Sequence, residues 1–242
     1  MIRKLVTVAI LFFAVSLSAQ EITSSPYSFF GIGLQKFKGT AENRAMGGLS
    51  IASDSIHMNL QNPAGYGALG LTTYTVGLSH TENTISSSNA EDDLSSTNID
   101  YLAIGIPAGK LGFGLGIKPF TSVGYELESE DESKVSKFTG RGGLNTLFLA
   151  TGYKINDNWR VGVEGSYNFG NIQNKNLSYQ KGLQFGTREI NRSDFSGFSV
   201  KFGVQFEKEI KNNLQITGSA SYTPSSNLSS DNFRELATYS PI

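Results

Sequence analysis

Residues 159–169, WRVGVEGSYNF, alternate with a period of two. Trp159, Val161, Val163, Gly165, Tyr167 and Phe169 fall on one face, and Arg160, Gly162, Glu164, Ser166 and Asn168 fall on the other. Successive side chains of a β-strand leave the pleat on opposite sides, so this period predicts a strand. One face is apolar with aromatics near both ends, and the other is small, polar or charged. A membrane-spanning barrel strand has this form: about 9–11 residues, with a lipid-facing side bracketed by aromatic girdles.

The pattern recurs. In residues 198–206, Phe198, Val200, Phe202, Val204 and Phe206 alternate with Ser199, Lys201, Gly203 and Gln205. Residues 214–223 and 113–118 alternate in the same way, and 71–79, 98–107 and 144–154 do so less cleanly, which makes about seven strands. Composition agrees with a barrel. Hydrophobic residues are 38% and charged residues 17% of the 242, while glycine reaches 27 residues. A soluble domain short of both charge and aliphatic core is awkward, whereas a barrel strand needs only one apolar face. The net charge of −1 gives no electrostatic case for nucleic acid. The absence of cysteine excludes disulfides and thiolate chemistry.

The first residues predict export. Arg3 and Lys4 precede an apolar run at 5–15 and then SLSAQ, a charged, apolar and small-residue order with cleavage expected after Ala19. The run is too short for a spanning helix, which needs about 20 apolar residues. The expected organisation is a signal peptide at 1–19, a hatch segment on the periplasmic or lumenal side at 20–70, and barrel strands at 71–242. Connections alternate between long polar ones (80–97, 129–136 and 170–194) and short ones (107–110, 155–158 and 208–213). Short periplasmic turns and long extracellular loops are the habit of outer-membrane barrels. An odd strand number, with an ending that lacks a terminal aromatic, predicts the first half of a larger barrel. Residues 231–242 alternate too poorly to be expected as a closing strand.

Residues 20–70 show no strand pattern but carry SPYSFFGIG (25–33), NRAMGGLSIASDS (43–55) and NLQNPAGYGAL (59–69). In that order, followed by FTGRGGLNTLFLATGYKINDNWRVGVEGSYNFGNI at 138–172, these motifs resemble the FadL/OMPP1/TodX outer-membrane transport family of Bacteroidetes-like type, over roughly residues 25–222. The resemblance implies an all-β, transmembrane antiparallel barrel of about fourteen strands with an N-terminal hatch. It also implies a hatch or gate at Asn62, Pro63, Ala64 and Gly65. From the residues alone, Pro63 holds its φ and pushes Asn62 toward extended backbone, and the Asn62 side chain can bond nearby backbone. Gly65, Gly67 and Gly70 permit crowded or left-handed conformations. An ordinary Asn-Pro turn before a strand fits the residues equally.

Parity places Lys118, Arg160, Glu164 and Lys201 on the lumen side, because a lipid-facing Lys or Arg near mid-membrane costs about 2–4 kcal/mol. They form either a salt-bridged wall or an attraction for a substrate carboxylate. The glycines of residues 112–116 (GFGLG) have period two and are expected to leave room for a plug. His57 and His80 lack zinc-ligand spacing, and no Gly-x-Ser-x-Gly elbow occurs. No metal, cofactor or enzymatic activity is therefore expected, although the acidic run at 128–132 has calcium-binding composition. The resulting expectation is a monomeric channel of the cell outer membrane for passive uptake of hydrophobic or amphipathic small molecules. Its partners would be outer-membrane lipid, the hydrophobic ligand, and the barrel-assembly machinery during biogenesis. The alternative is a structural barrel that anchors a secretion or surface complex and has no substrate.

Overall fold

In the computed structural model, residues 25–86, 91–210 and 214–240 are described, and the expected leader at 1–19 lies outside them. A 3-10 turn at Pro26–Phe29, a short strand β1 (Leu34–Gln35) and a one-turn helix α1 (Ala41–Ala45) lead to a second 3-10 stretch at Pro63–Ala68. The rest is strand: β2 (Thr73–Ser86), β3 (Glu91–Ala108), β4 (Leu111–Glu130), β5 (Lys134–Lys154), β6 (Trp159–Gln180), β7 (Gly186–Ile210), β8 (Leu214–Tyr222) and β9 (Ser229–Tyr239). From β2 to β8 every strand pairs antiparallel with its sequence neighbour, while β1 joins β4 and β9 joins β7. The sheet curls into half a barrel. Among the described residues it stays open, with β2 at one edge and the β8–β9 line at the other.

The alternation sorts the two faces. Leu115 and Ile117 of β4, Leu147 and Leu149 of β5, Val161 and Val163 of β6, and Phe198 to Phe202 in steps of two on β7 are exposed on the convex side. The rings of register partners Trp159 and Phe206 meet at a tilt with centroids 4.8 Å apart at one end of this band, and those of Tyr167 and Phe198 do the same at 4.8 Å at the other. With a rise of about 3.3 Å per residue, the two pairs stand roughly 26 Å apart. The concave side takes the opposite parity and carries residues 25–70.

Two corrections concern the polar connections. Among the described residues, the segments at 80–97, 129–136 and 170–194 are mostly strand rather than long loops. β2 runs to Ser86 and β3 starts at Glu91, β4 and β5 are separated only by residues 131–133, and β6 and β7 only by 181–185. Beyond the apolar band the convex face turns mostly polar, so the period-two signal fades while the ladder continues to satisfy the backbone. The hairpins therefore rise far above the band: β7 has 25 residues, against the roughly 10 a bilayer requires. For the same reason Ser229–Tyr239 is a strand despite its poor alternation. It continues the line of β8 along β7, with Ser229 opposite Ser196 above the β8 pair Tyr222–Phe202. It extends the seventh strand and does not close the sheet. The short turns at 107–110 and 155–158 lie where the residues predict them, with Gly109 at φ 67°. Residues 211–213 of the third lie outside the described residues.

Two apolar clusters attach the N-terminal segment to the concave face. Met58, Leu60, Tyr66 and Leu69 pack on Tyr101 and Ala103 of β3 and Phe148 and Ala150 of β5. Higher up, Val123, Tyr125, Leu144 and Ile172 form a second cluster that receives Ile32 and Leu228.

Candidate functional site

Four glycines stand side by side across the concave face. Gly112 of β4 is the register partner of Gly152 of β5, which is opposite Gly162 of β6, which is opposite Gly203 of β7. With strands about 4.8 Å apart, the row spans roughly 14 Å. The 3-10 stretch Pro63–Ala68 lies along it. At about 2.0 Å rise per residue its length is roughly 12 Å, a close match. A Cβ on Gly112 would overlap the Tyr66 carbonyl, one on Gly152 the Gly67 nitrogen, one on Gly162 the Pro63–Ala64 peptide, and one on Gly203 the Asn62 side chain. The row is thus a bare backbone track on which the segment rests backbone to backbone. Gly114 extends it, since its missing side chain leaves space for the Tyr66 ring, whereas Gly116 abuts Ala103 of the neighbouring strand.

The segment is built for this seat. Asn62 is extended (φ −127°, ψ 113°) and its Oδ1 accepts from Ala64 N at 3.0 Å, an N-cap followed by Pro63 at the position where a missing N–H costs nothing. Asn59 Oδ1 accepts from the backbone N–H groups of Gln61 and Asn62 at 3.0 and 2.9 Å. Gly65 serves by crowding: a Cβ there would meet Ser53 Oγ and Asn59 Cβ at 2.6 and 2.7 Å. The segment also bonds to the wall. Asn62 Nδ2 donates to Val204 O at 3.1 Å and Ala220 O at 3.4 Å, carbonyls of register partners on β7 and β8. Gln205 Nε2 donates to Ile51 O at 2.9 Å, and Lys118 Nζ donates to Leu60 O at 3.1 Å. Asn62, Pro63, Ala64 and Gly65, the residues expected to form a gate, are all buried and held.

Lys118, Glu164 and Lys201 meet beneath the segment. Glu164 Oε1 lies 3.0 Å from Lys201 Nζ and 3.6 Å from Lys118 Nζ, and it accepts from Ser166 Oγ at 3.1 Å. Lys118 Nζ also sits 4.6 Å over the Phe148 ring. Arg160 stands apart, paired with Glu207 at 2.6 Å near the short-turn end. Glu164 thus engages both lysines, and the three side chains form an internal ion network. Glu164 Oε2 and the Tyr66 hydroxyl are buried without a protein partner.

The remaining chemistry-bearing residues stay separate. His57 Nδ1 bonds Asp54 Oδ2 at 2.6 Å, while His80 bonds Thr97 Oγ1 at 2.8 Å and Glu82 at 3.3 Å. In the acidic run, Glu130 pairs with Lys181 at 2.6 Å. Among the described residues no group of three His, Cys, Asp or Glu side chains is arranged to hold a metal ion.

A family model, BamG, matches residues 1–241. The chain belongs to the BamG family. No curated protein and no solved structure matches it. BamG is a different family from FadL/OMPP1/TodX, so the resemblance read from the N-terminal motifs is overturned. The physical reason lies in what those motifs encode. Asn-Pro-Ala-Gly is a capped 3-10 start, and the Met-Gly-Gly turn is a left-handed exit from α1 with Gly47 and Gly48 at φ 71° and 89°. Both recur wherever a compact irregular segment is pressed against a sheet, and neither is proof of descent. Tyr66, Gly152, Gly162, Gly203 and Gln205 are parts of this BamG-family site that the residues alone do not single out. Each lies in an otherwise ordinary alternating strand or turn, and only register aligns the glycines.

Proposed function

We propose that this BamG-family chain is a structural β-barrel component of the outer membrane that associates with the machinery assembling β-barrels there. The observation that carries the reading is the family match over residues 1–241, whose name points to that machinery. The convex face supports it, since an exposed apolar band closed by aromatic pairs at both ends suits contact with lipid. Residues 1–19 serve as the export leader in this reading. Residues 62–65 act as an anchor for the N-terminal segment rather than as a gate, because they are buried against the glycine track and Asn62 bonds to the backbone of β7 and β8. The chain performs no covalent chemistry and acts as a fixed part of an assembly. Uptake of hydrophobic molecules drew its support from the transport-family resemblance, and the packed track offers no replacement for it.

The test is purification of the tagged chain, at native expression level, from outer membranes in mild detergent. Co-elution with the central barrel-assembly protein at a constant ratio, together with a fall in mature outer-membrane barrels when the chain is depleted, is the expected result. A chain that elutes alone, from cells whose barrel content is unaffected by its loss, refutes the proposal.

A further inference from the structure

The wall contains a seam. β3 and β4 are paired only between the Leu102–Ile117 and Ala108–Leu111 positions. Above that level β3 has β2 as its partner back to Glu91, and β4 has β5 as its partner up to Glu130. The register of β2 on β3 shifts between Gly77 and Leu78, opposite Tyr101, at the level where the seam begins. Bulges bend the strands that carry them, so the β2–β3 hairpin bends at the mouth of the seam.

The N-terminal segment occupies this seam, and it holds the two lips differently. On the β4 lip it behaves as a strand. Leu34 and Gln35 pair with Ser122 and Thr121, Lys36 N donates to Phe120 O at 3.0 Å, and Ser25 N donates to Gly124 O at 2.9 Å. Ser28 Oγ, buried, accepts from Gly124 N at 3.0 Å and donates to Ser25 O at 2.7 Å, with Gly124 O 3.1 Å away. Gly33, at φ 88°, approaches so closely that a Cβ would overlap the Ser122 carbonyl. On the β3 lip the attachment runs through side chains, and the Asp100 carboxylate also attracts the Lys36 ammonium. Ala41 N donates to Tyr101 Oη at 3.0 Å, and Arg44 Nη1 lies 3.3 Å from Asp100 Oδ2. The Arg44 side chain is 48% exposed and that of Asp100 12%, so one end of the pair is open to competing water. The helix that presents both contacts is a single turn, closed by a Thr40–Asn43 capping box.

We propose that residues 25–45 form a strap across the seam, seated on β4 and releasable from β3, so that the β2–β3 hairpin can swing about its bulge and open the wall sideways above Leu102. Release frees the inner edge of β3 at residues 91–100, where unpaired backbone groups become available to water or to an extended segment of another chain. The device is independent of the assembly role, because it rests on the seam and the two unequal lips alone.

Hydrogen exchange on the full chain in detergent or native membranes tests it. Arg44→Ala combined with Tyr101→Phe removes the Arg44 ion pair and the hydrogen bond from Ala41. Amides of residues 91–101 are expected to exchange at least tenfold faster, while those of 121–124 and 162–165 stay within twofold of the parent. Unchanged exchange on the β3 lip overturns the strap, and so does equal acceleration on both lips. If the double variant does not fold, Asp100→Asn removes the charge that attracts both Arg44 and Lys36, while Asn retains an acceptor for Ser79 Oγ; it is expected to give at least threefold faster exchange at 91–101, and no change overturns the proposal. A cysteine pair at Leu34 and Ser122, in a chain with no cysteine of its own, locks the seat on β4. It should leave exchange on the β3 lip unaltered, and a tenfold slowing there would show that the seat is not fixed.

Discussion

Adding one methyl group at Gly162 tests the glycine track directly. A Cβ on Gly162 would overlap Pro63 C, Pro63 O and Ala64 N, all backbone atoms of a segment capped by Asn62 and held on both flanks. Nothing flexible is available to move. Forcing a methylene into a packed site costs roughly 1–3 kcal/mol, and burying it returns at most about 0.8 kcal/mol. Because the obstacle is backbone, the expected net loss for Gly162→Ala is about 2 kcal/mol, near a thirtyfold fall in the folded-to-unfolded ratio. Gly165, three residues along the same strand, is the internal control. It has nothing within 4 Å of its missing Cβ, and replacing a strand glycine with alanine gains roughly 0.5–1 kcal/mol. The assay is equilibrium unfolding in denaturant with the chain in detergent, together with limited proteolysis of residues 50–70. Gly162→Ala should lower the midpoint and make the segment cleavable, while Gly165→Ala should do neither. Equal midpoints for the two variants, or a protected segment in Gly162→Ala, would refute backbone seating on the track.

Asn62→Ala removes the cap and both bonds to β7 and β8, and it leaves the Ala64 N–H buried. The expected loss is about 2–3 kcal/mol, with faster amide exchange in β8 than in β4; uniform exchange would contradict the clamp on the β7–β8 pair. Glu164→Ala strands Lys118 and Lys201 beside each other without their shared acceptor, an expected loss of about 3–5 kcal/mol, whereas Glu164→Ala in a Lys118→Met, Lys201→Met background should restore much of it. Failure of the triple variant to recover would mean the network is not the source of the loss. His57 gives a pH prediction. The hydrogen bond to Asp54, followed by the charge of that carboxylate, raises the His57 pKa above its usual value. A group whose folded pKa is raised adds stability that is complete below its unfolded pKa, near 6.5 for histidine, and is lost as pH rises through the folded value. NMR titration should place His57 above an ordinary histidine, and Asp54→Asn should bring it down; an unshifted His57 would remove the contact from solution.

Some of this was legible without coordinates, and the pattern of what was not is physical. Where one face is apolar, as at 159–169 and 198–206, alternation specifies a strand and tells which side each residue takes, so Glu164 and Lys201 share the concave side with the segment. Where apolar residues are few and out of step, as at 170–180 or 229–239, alternation carries little contrast, and strands read as loops. Short motifs fared worst. Asn62, Pro63 and Ala64 describe a local capped turn correctly, yet they pointed to a transport family to which the chain does not belong, because turn chemistry is shared widely among unrelated chains.

Period-two patterning alone determined that this is an all-β chain with strands of known sidedness joined by alternating turns, since side-chain direction is a local property of extended backbone. Register is not local. Gly112, Gly152, Gly162 and Gly203 are far apart in the chain, and only the pairing of four strands sets them in one row beneath Pro63–Ala68. The same pairing decided that β3 parts from β4 above Leu102 and that β1 fills the space. The backbone atoms that meet at the track and at the seam carry no sequence signature, because every residue has them; tertiary structure alone decides which ones touch.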